Sequence, residues 1–322
     1  MMPGAADSPS SAVRPRLVWV DAARCIAMFF IIWLHTGKSP AWNGDLVGGA
    51  LCLFFFLAGY FMPSDAGRCA ARAWRMLRLW VLWSFLSAGL YMLTKSGAVW
   101  SWERVFGIGV GAYNTPLWFL RNLAVYQLLV AGGLALRWLP RHTWLVTALL
   151  AAFAYTCEHS QHTTLRFDWM MVLVLGVSLR TAVTPEQLTG WLRRHAAVLV
   201  VAAVVLLVQI HALPKLGREL DVAVRSCSLP VESLAWALLY ALAAMGIEHW
   251  CSRAGAALAT CGRSMLFCYI THSFALAVFY NYPSIDVAAN VWVPVLLLLV
   301  LTLLNRMLEK RFPRTMRFLF SC

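Results

Sequence analysis

Ten apolar stretches fill most of this 322-residue chain, at about 17–37, 46–62, 76–94, 116–136, 143–156, 168–179, 196–213, 230–247, 263–280 and 289–308. Only 13% of its residues are charged, against roughly 25% in an ordinary soluble domain. A backbone inside lipid has to satisfy its own hydrogen bonds, and for stretches of this length the helix does so. The expected fold is all-α: a polytopic membrane helix bundle with about ten transmembrane helices. The stretches at 143–156 and 168–179 fall short of the roughly 20 residues a straight spanning helix needs, so the count can shift by one.

The net charge of +13 is first a statement about orientation. With the N-terminus inside, 18 of the 27 lysines and arginines fall in the tails and the loops on that side. Seven fall in the loops on the other side, while Arg24 and Arg121 stay within spans. The positive-inside rule then puts both termini in the cytoplasm and leaves no reason to invoke nucleic acid. The expected organisation is a disordered cytoplasmic tail (1–16), a membrane domain (17–308) and a basic cytoplasmic tail (309–322). The first span is too long for a signal peptide and carries Asp21 and Arg24, so it reads as retained. Nine cysteines include no C-x-x-C pair and read as packing residues. Cys157 and Cys227 fall in outward loops and are the candidate disulfide. The loops are too short for a soluble catalytic module, so any chemistry belongs to the membrane domain.

Within the first span, ten residues separate Arg24 from His35. Eleven steps put them about 16 Å apart along a helix, close to three full turns, so both face the same way. An arginine in a membrane helix costs about 2.5 kcal/mol or more. Asp21, one turn before Arg24, can offset part of that cost. An imidazole at the far end of the span suits a general base, because its ordinary pKa lies near working pH. The competing reading is a histidine at the lipid–water interface and an Asp21–Arg24 pair that serves helix packing.

Further polar groups recur in apolar surroundings. After Arg68 come Arg72, Arg75 and Arg78, three residues apart, a spacing that suits phosphate binding, although an anchor on anionic headgroups is the stronger reading of these residues alone. Pro116-Leu-Trp-Phe-Leu-Arg-Asn122 places Trp118 and Phe119 at an interface and Arg121 deeper, where it needs an acidic partner or an anionic ligand. Tyr269 and His272 stand three apart in the ninth stretch. Glu232 opens the eighth, where it could pair with Arg121 or bind sugar. Glu158-His-Ser-Gln-His162 has too few donors for a metal site, and no metal is expected.

Asp21-x-x-Arg24 with His35, the Phe54–Tyr60 stretch, the arginine series, Leu117-Trp-Phe-Leu120, Phe167–Gly176 and Tyr269-x-x-His272 occur in one order along the chain. In that order they resemble the acyltransferase-3 family of integral membrane acyltransferases, over essentially the whole length. The resemblance implies transfer of an acyl group, usually acetyl from cytoplasmic acetyl-CoA, to a hydroxyl of an envelope glycan or lipid-linked saccharide. It implies His35 as the essential histidine with Arg24 as its partner, and Arg72 and Arg75 as contacts to the coenzyme A phosphates. Arg68 and Arg78 extend that set. Asp21, Trp118, Phe119, Arg121, Tyr269, His272 and Glu232 are the expected channel or substrate residues. The implied location is the bacterial inner membrane, multi-pass, with acyl-CoA, the glycan acceptor and membrane lipids as partners. Ala58 replaces the family's usual small polar residue, and the proline that often follows the arginines is missing. The alternative is a transporter or flippase of a lipid-linked saccharide, using Arg24, Arg121 and His272 as a ligand path.

Overall fold

The structure is a computed structural model that describes residues 16–36, 39–40, 42–94, 101, 115–137, 139–156, 167–212, 218–280 and 291–320. Among these residues the secondary structure is entirely helical. In chain order the helices are α1 (Val18–His35), α2 (Asn43–Tyr60), α3 (Ala66–Thr94), a 3₁₀ turn (Thr115–Leu117) and α4 (Trp118–Ala135). Then come α5 (Leu139–Thr156), α6 (Phe167–Ala182), α7 (Pro185–Ala212) and α8 (Arg218–Trp250). The chain closes with α9 (Ser252–Arg263), α10 (Met265–Tyr280), α11 (Trp292–Arg311) and α12 (Pro313–Phe320).

Each of the ten apolar stretches lies mostly on a helix. Five helical segments are long and apolar enough to cross a bilayer: Val18–His35, Asn43–Tyr60, Pro185–His211, Val231–Trp250 and Trp292–Arg311. The others fall below that mark for visible reasons. α6 and α10 have 16 residues each, and the first half of α3 carries four arginines. The molecule is a multi-pass membrane protein.

α1 is the centre of the bundle and touches α2, α8, α9, α10 and α11. Its small residues Ala22, Ala23 and Ala27 are fully buried, as are Met28 and Ile32, so neighbours close on it from several sides. Small residues let membrane helices approach closely. A side chain on Gly59 would collide with the Leu173 carbonyl, and one on Gly176 with the Phe56 carbonyl, which is why α2 and α6 pack backbone to backbone. Gly262 does the same for α9, lying against the Asp21 carbonyl of α1. α3 pairs with α4, and α7 leans on α8 from the rim. Only 17% of the apolar window of α7 is buried, which gives it the valine-rich, lipid-facing surface of a peripheral helix.

Three features depart from the apolar pattern. α7 starts at Pro185, well before its apolar run, because Thr184 and Gln187 form a capping box: Thr184 N donates to Gln187 Oε1 (2.8 Å) and Gln187 N to Thr184 Oγ1 (3.3 Å). Proline at the first helical position costs the helix nothing, since that amide has no partner there. α9 is a separate polar-faced helix where the pattern suggests a connector. The basic C-terminal segment folds back as α12, with Trp83 Nε1 donating to the Leu319 carbonyl at 3.2 Å and Phe320 packed on Trp83 and Phe267.

Candidate active site

At the end of the bundle where α1 begins, Asp21 is 3% exposed and is held between two guanidiniums. Arg16 Nε lies 2.5 Å from its Oδ2 and Arg24 Nη1 lies 3.3 Å from its Oδ1. The expected Asp21–Arg24 pair is therefore formed, and Arg16 joins it. Two guanidiniums give this buried carboxylate the charged hydrogen-bond partners that burial of such a group calls for. Around this trio opens a cavity of about 960 Å³, lined also by Arg68, Arg180, Ser64 and Glu186. Four guanidiniums (Arg16, Arg24, Arg68, Arg180) face two carboxylates there, and the excess positive charge suits a polyanionic ligand.

A second cavity of about 430 Å³ shares Arg16 and Arg24 with the first and adds Arg72 and Arg263. Its remaining walls are largely apolar, with Phe54, Ala58, Leu123 and Phe119 leading to Tyr269. Arg72 Nη1 donates to the Phe61 carbonyl at 3.2 Å, which fixes the side chain beside the end of α2. Arg24 thus stands at the junction of a cationic vestibule and an apolar passage.

The arginine series does not act as one ridge. Each three-residue step on a helix turns by about 60° short of a full turn, so the row winds around α3. Arg72 faces the passage, while Arg68 faces the vestibule and also pairs with Asp65 at 3.7 Å. Arg75 is exposed and lines neither cavity. Arg78 lies over the Phe318 ring, 5.5 Å from its centroid, and so packs α12 against α3.

At the far end of the passage Phe119 and Tyr269 pack with ring centroids 5.3 Å apart. The buried Tyr269 hydroxyl donates to the Pro116 carbonyl, which ties α10 to the 3₁₀ turn before α4. One turn along α10, His272 is fully buried, and its ring meets that of His35 edge to face with centroids 5.1 Å apart. His35 Nδ1 lies 2.7 Å from the Ile31 carbonyl, and His272 Nδ1 lies 2.7 Å from the Tyr269 carbonyl. A carbonyl can only accept, so Nδ1 is the donor in both rings, and in the neutral form of an imidazole that leaves the lone pair on Nε2. His35 therefore has the tautomer a general base needs.

The structure brings Arg24, Arg72, Phe119 and Tyr269 to one cavity, whereas His272, packed on Tyr269 with ring centroids 6.0 Å apart, and His35 behind it line neither cavity. Trp118 is half-buried against Phe119 and lines neither cavity. Arg121 also stays outside both, with its Nε donating to Asn122 Oδ1 at 3.3 Å. Glu232 does not pair with Arg121. It sits 3.2 Å from His211 Nε2, in a cluster that includes Asp45. The side chains of Cys157 and Cys227 and the loop Glu158–His162 lie outside the described residues.

A family profile described as an acyltransferase domain, acyltransferase-3, matches residues 17–304. The chain belongs to the acyltransferase-3 family. It is accordingly a membrane acyltransferase, and the match includes Arg24, Arg72, Tyr269 and the histidine pair. No curated protein and no solved structure matches the chain.

Arg16, Arg180 and Arg263 are among the 18 basic residues that the charge count assigns to the tails and loops of one side, and all three line the cavities. The capping box at Thr184 was the available signal for Arg180, since it fixes a tight turn just after that residue. Asp45, His211 and Glu232 lie on three different helices, and nothing in their spacing links them.

Proposed function

We propose that this protein is an O-acyltransferase of the bacterial inner membrane. It takes an acyl group, an acetyl in the simplest case, from acyl-CoA on the cytoplasmic side. It delivers the group to a hydroxyl of an envelope glycan or lipid-linked saccharide on the opposite side. The observation that carries this reading is the position of Arg24, shared by a cationic vestibule and an apolar passage whose Tyr269 packs against His272 of the His35–His272 pair.

In this account both termini are cytoplasmic, and the vestibule receives the coenzyme A phosphates on Arg16, Arg24, Arg68 and Arg180 through charge-assisted hydrogen bonds. The pantetheine arm runs past Arg24 and Arg72 along the apolar wall, with Phe119 and Tyr269 at its tip. His35 Nε2 removes the proton from the acceptor hydroxyl as its oxygen attacks the thioester carbonyl. The tetrahedral intermediate collapses with cleavage of the C–S bond, and the leaving thiolate takes the proton back from His35 as free coenzyme A. His272, edge to face with His35, positions the His35 ring.

Holding the donor and the acceptor in one passage replaces a bimolecular encounter by an oriented one, a large share of many enzymes' rate gain. Family membership favours this reading over a saccharide transporter, which needs no acyl donor. The test uses sealed membrane vesicles holding the full-length protein and acetyl-CoA labelled in the acetyl group. Label is expected in the glycan fraction when acetyl-CoA is offered at the cytoplasmic face, and equal labelling from either face counts against the proposed direction.

A further inference from the structure

We infer that Asp45, His211 and Glu232 form a binding site for a divalent transition-metal cation that clasps α7 to α2 and α8. The three side chains come from the first turn of α2, the last turn of α7 and the inner part of α8. One ligand atom from each lies within 4.8 Å of the other two. His211 Nε2 and Glu232 Oε1 are 3.2 Å apart, close to the spacing of about 3.3 Å that two ligands take around a tetrahedral zinc with bonds near 2.0–2.1 Å.

Glu232 supplies a second, independent indication. The residue is 6% exposed, and its Oε1 accepts no hydrogen bond among the described residues, despite the closeness of His211. A buried carboxylate oxygen without a donor is costly, and a second carboxylate nearby increases the cost. A protonated His211 balances one of the two negative charges, whereas a dication balances both. One imidazole nitrogen and two carboxylate oxygens are a donor set that borderline divalent ions such as zinc accept. The 53% exposed His211 side chain leaves one side open for a water ligand.

The site has a mechanical consequence. α7 is mostly unburied along its apolar window and rests chiefly on α8, so it is the helix with most to gain from an added tie. The cluster lies at the histidine end of the bundle, because Asp45 follows the connection from His35 to α2. The metal therefore braces the same end of the bundle that carries His35, without belonging to the passage. This inference does not depend on the direction or substrate of acyl transfer.

The test uses untagged full-length protein in detergent, stripped with a chelator and titrated with Zn²⁺ alone, with thermal unfolding as a second readout. The wild-type protein is expected to bind one equivalent that is lost or weakened at least tenfold in both Glu232→Gln and His211→Gln. Its unfolding temperature is expected to rise on zinc addition, and that rise is expected to vanish in the variants. His211→Gln alters a half-exposed position and preserves the fold if the core position Glu232 does not tolerate change. Equal zinc binding by wild type and His211→Gln, or no zinc-dependent change in wild-type stability, overturns the inference. A pair of carboxylates sharing a proton gives that second result.

Discussion

His35 and His272 meet edge to face, 5.1 Å between ring centroids, and each gives its Nδ1 proton to a backbone carbonyl of its own helix. In its neutral form an imidazole fixed this way presents the Nε2 lone pair, not a proton, to its surroundings. His272 Nε2 also has the Ser273 hydroxyl at 3.5 Å. The pair is thus set by helix geometry before any substrate arrives.

A positioning role for His272 predicts a graded loss. His272→Gln is expected to lower acyl transfer by about 10- to 100-fold, below the ~10²–10⁴-fold range of a general base itself. The loss should appear in kcat with little change in KM for acyl-CoA. A large rise in KM with kcat unchanged would instead make His272 a donor-binding residue.

Arg72 and Arg75 separate two meanings of the same sequence pattern. Arg72→Ala is expected to raise KM for acyl-CoA by about 10- to 100-fold, as charged hydrogen bonds of about 1.5–3 kcal/mol are lost. Arg75→Ala is expected to change it less than threefold, because that side chain lines neither cavity. Steady-state kinetics with varied acyl-CoA distinguishes them, and equal effects would restore the single phosphate-binding ridge.

Tyr269→Phe keeps the ring packing and removes the hydroxyl from the Pro116 carbonyl. Leaving that buried carbonyl without its donor is expected to cost about 1–3 kcal/mol. Thermal unfolding in detergent measures it, and an unchanged midpoint would mean that the carbonyl finds another donor.

Gly262 is where α9 touches the Asp21 carbonyl. Gly262→Ala is expected to push α9 off α1 and cost about 1–3 kcal/mol, the usual penalty of overpacking. Because Asp21 holds Arg24 at 3.3 Å, acyl transfer should fall along with stability. A variant of full stability and full activity would show that the two helices separate freely here.

Much of the helical arrangement was legible in apolar length, since lipid leaves the backbone few choices. Arg24 and His35 stood out because both are expensive within a span, and the helical repeat puts them on one face. The convergence of Arg16, Arg180 and Arg263 on Arg24 was not legible. Near span ends arginines serve as anchors as a matter of course, and only tertiary packing decides which of them turn inward. The three-residue arginine series turns about 60° around α3 at each step, enough that Arg72 lines the passage and Arg75, one step on, lines neither cavity. Glu232 needed the positions of α2 and α7 before its neighbours could be known.

The central claim is that His35, packed on His272 behind the passage residue Tyr269, takes the proton from the acceptor hydroxyl. Membranes carrying the full-length protein are incubated with acetyl-CoA labelled in the acetyl group, and label is counted in the glycan fraction. His35→Ala, inserted at the same level as wild type, is expected to lose about 10²- to 10⁴-fold of the transfer. Transfer at the wild-type rate by that variant would contradict the account.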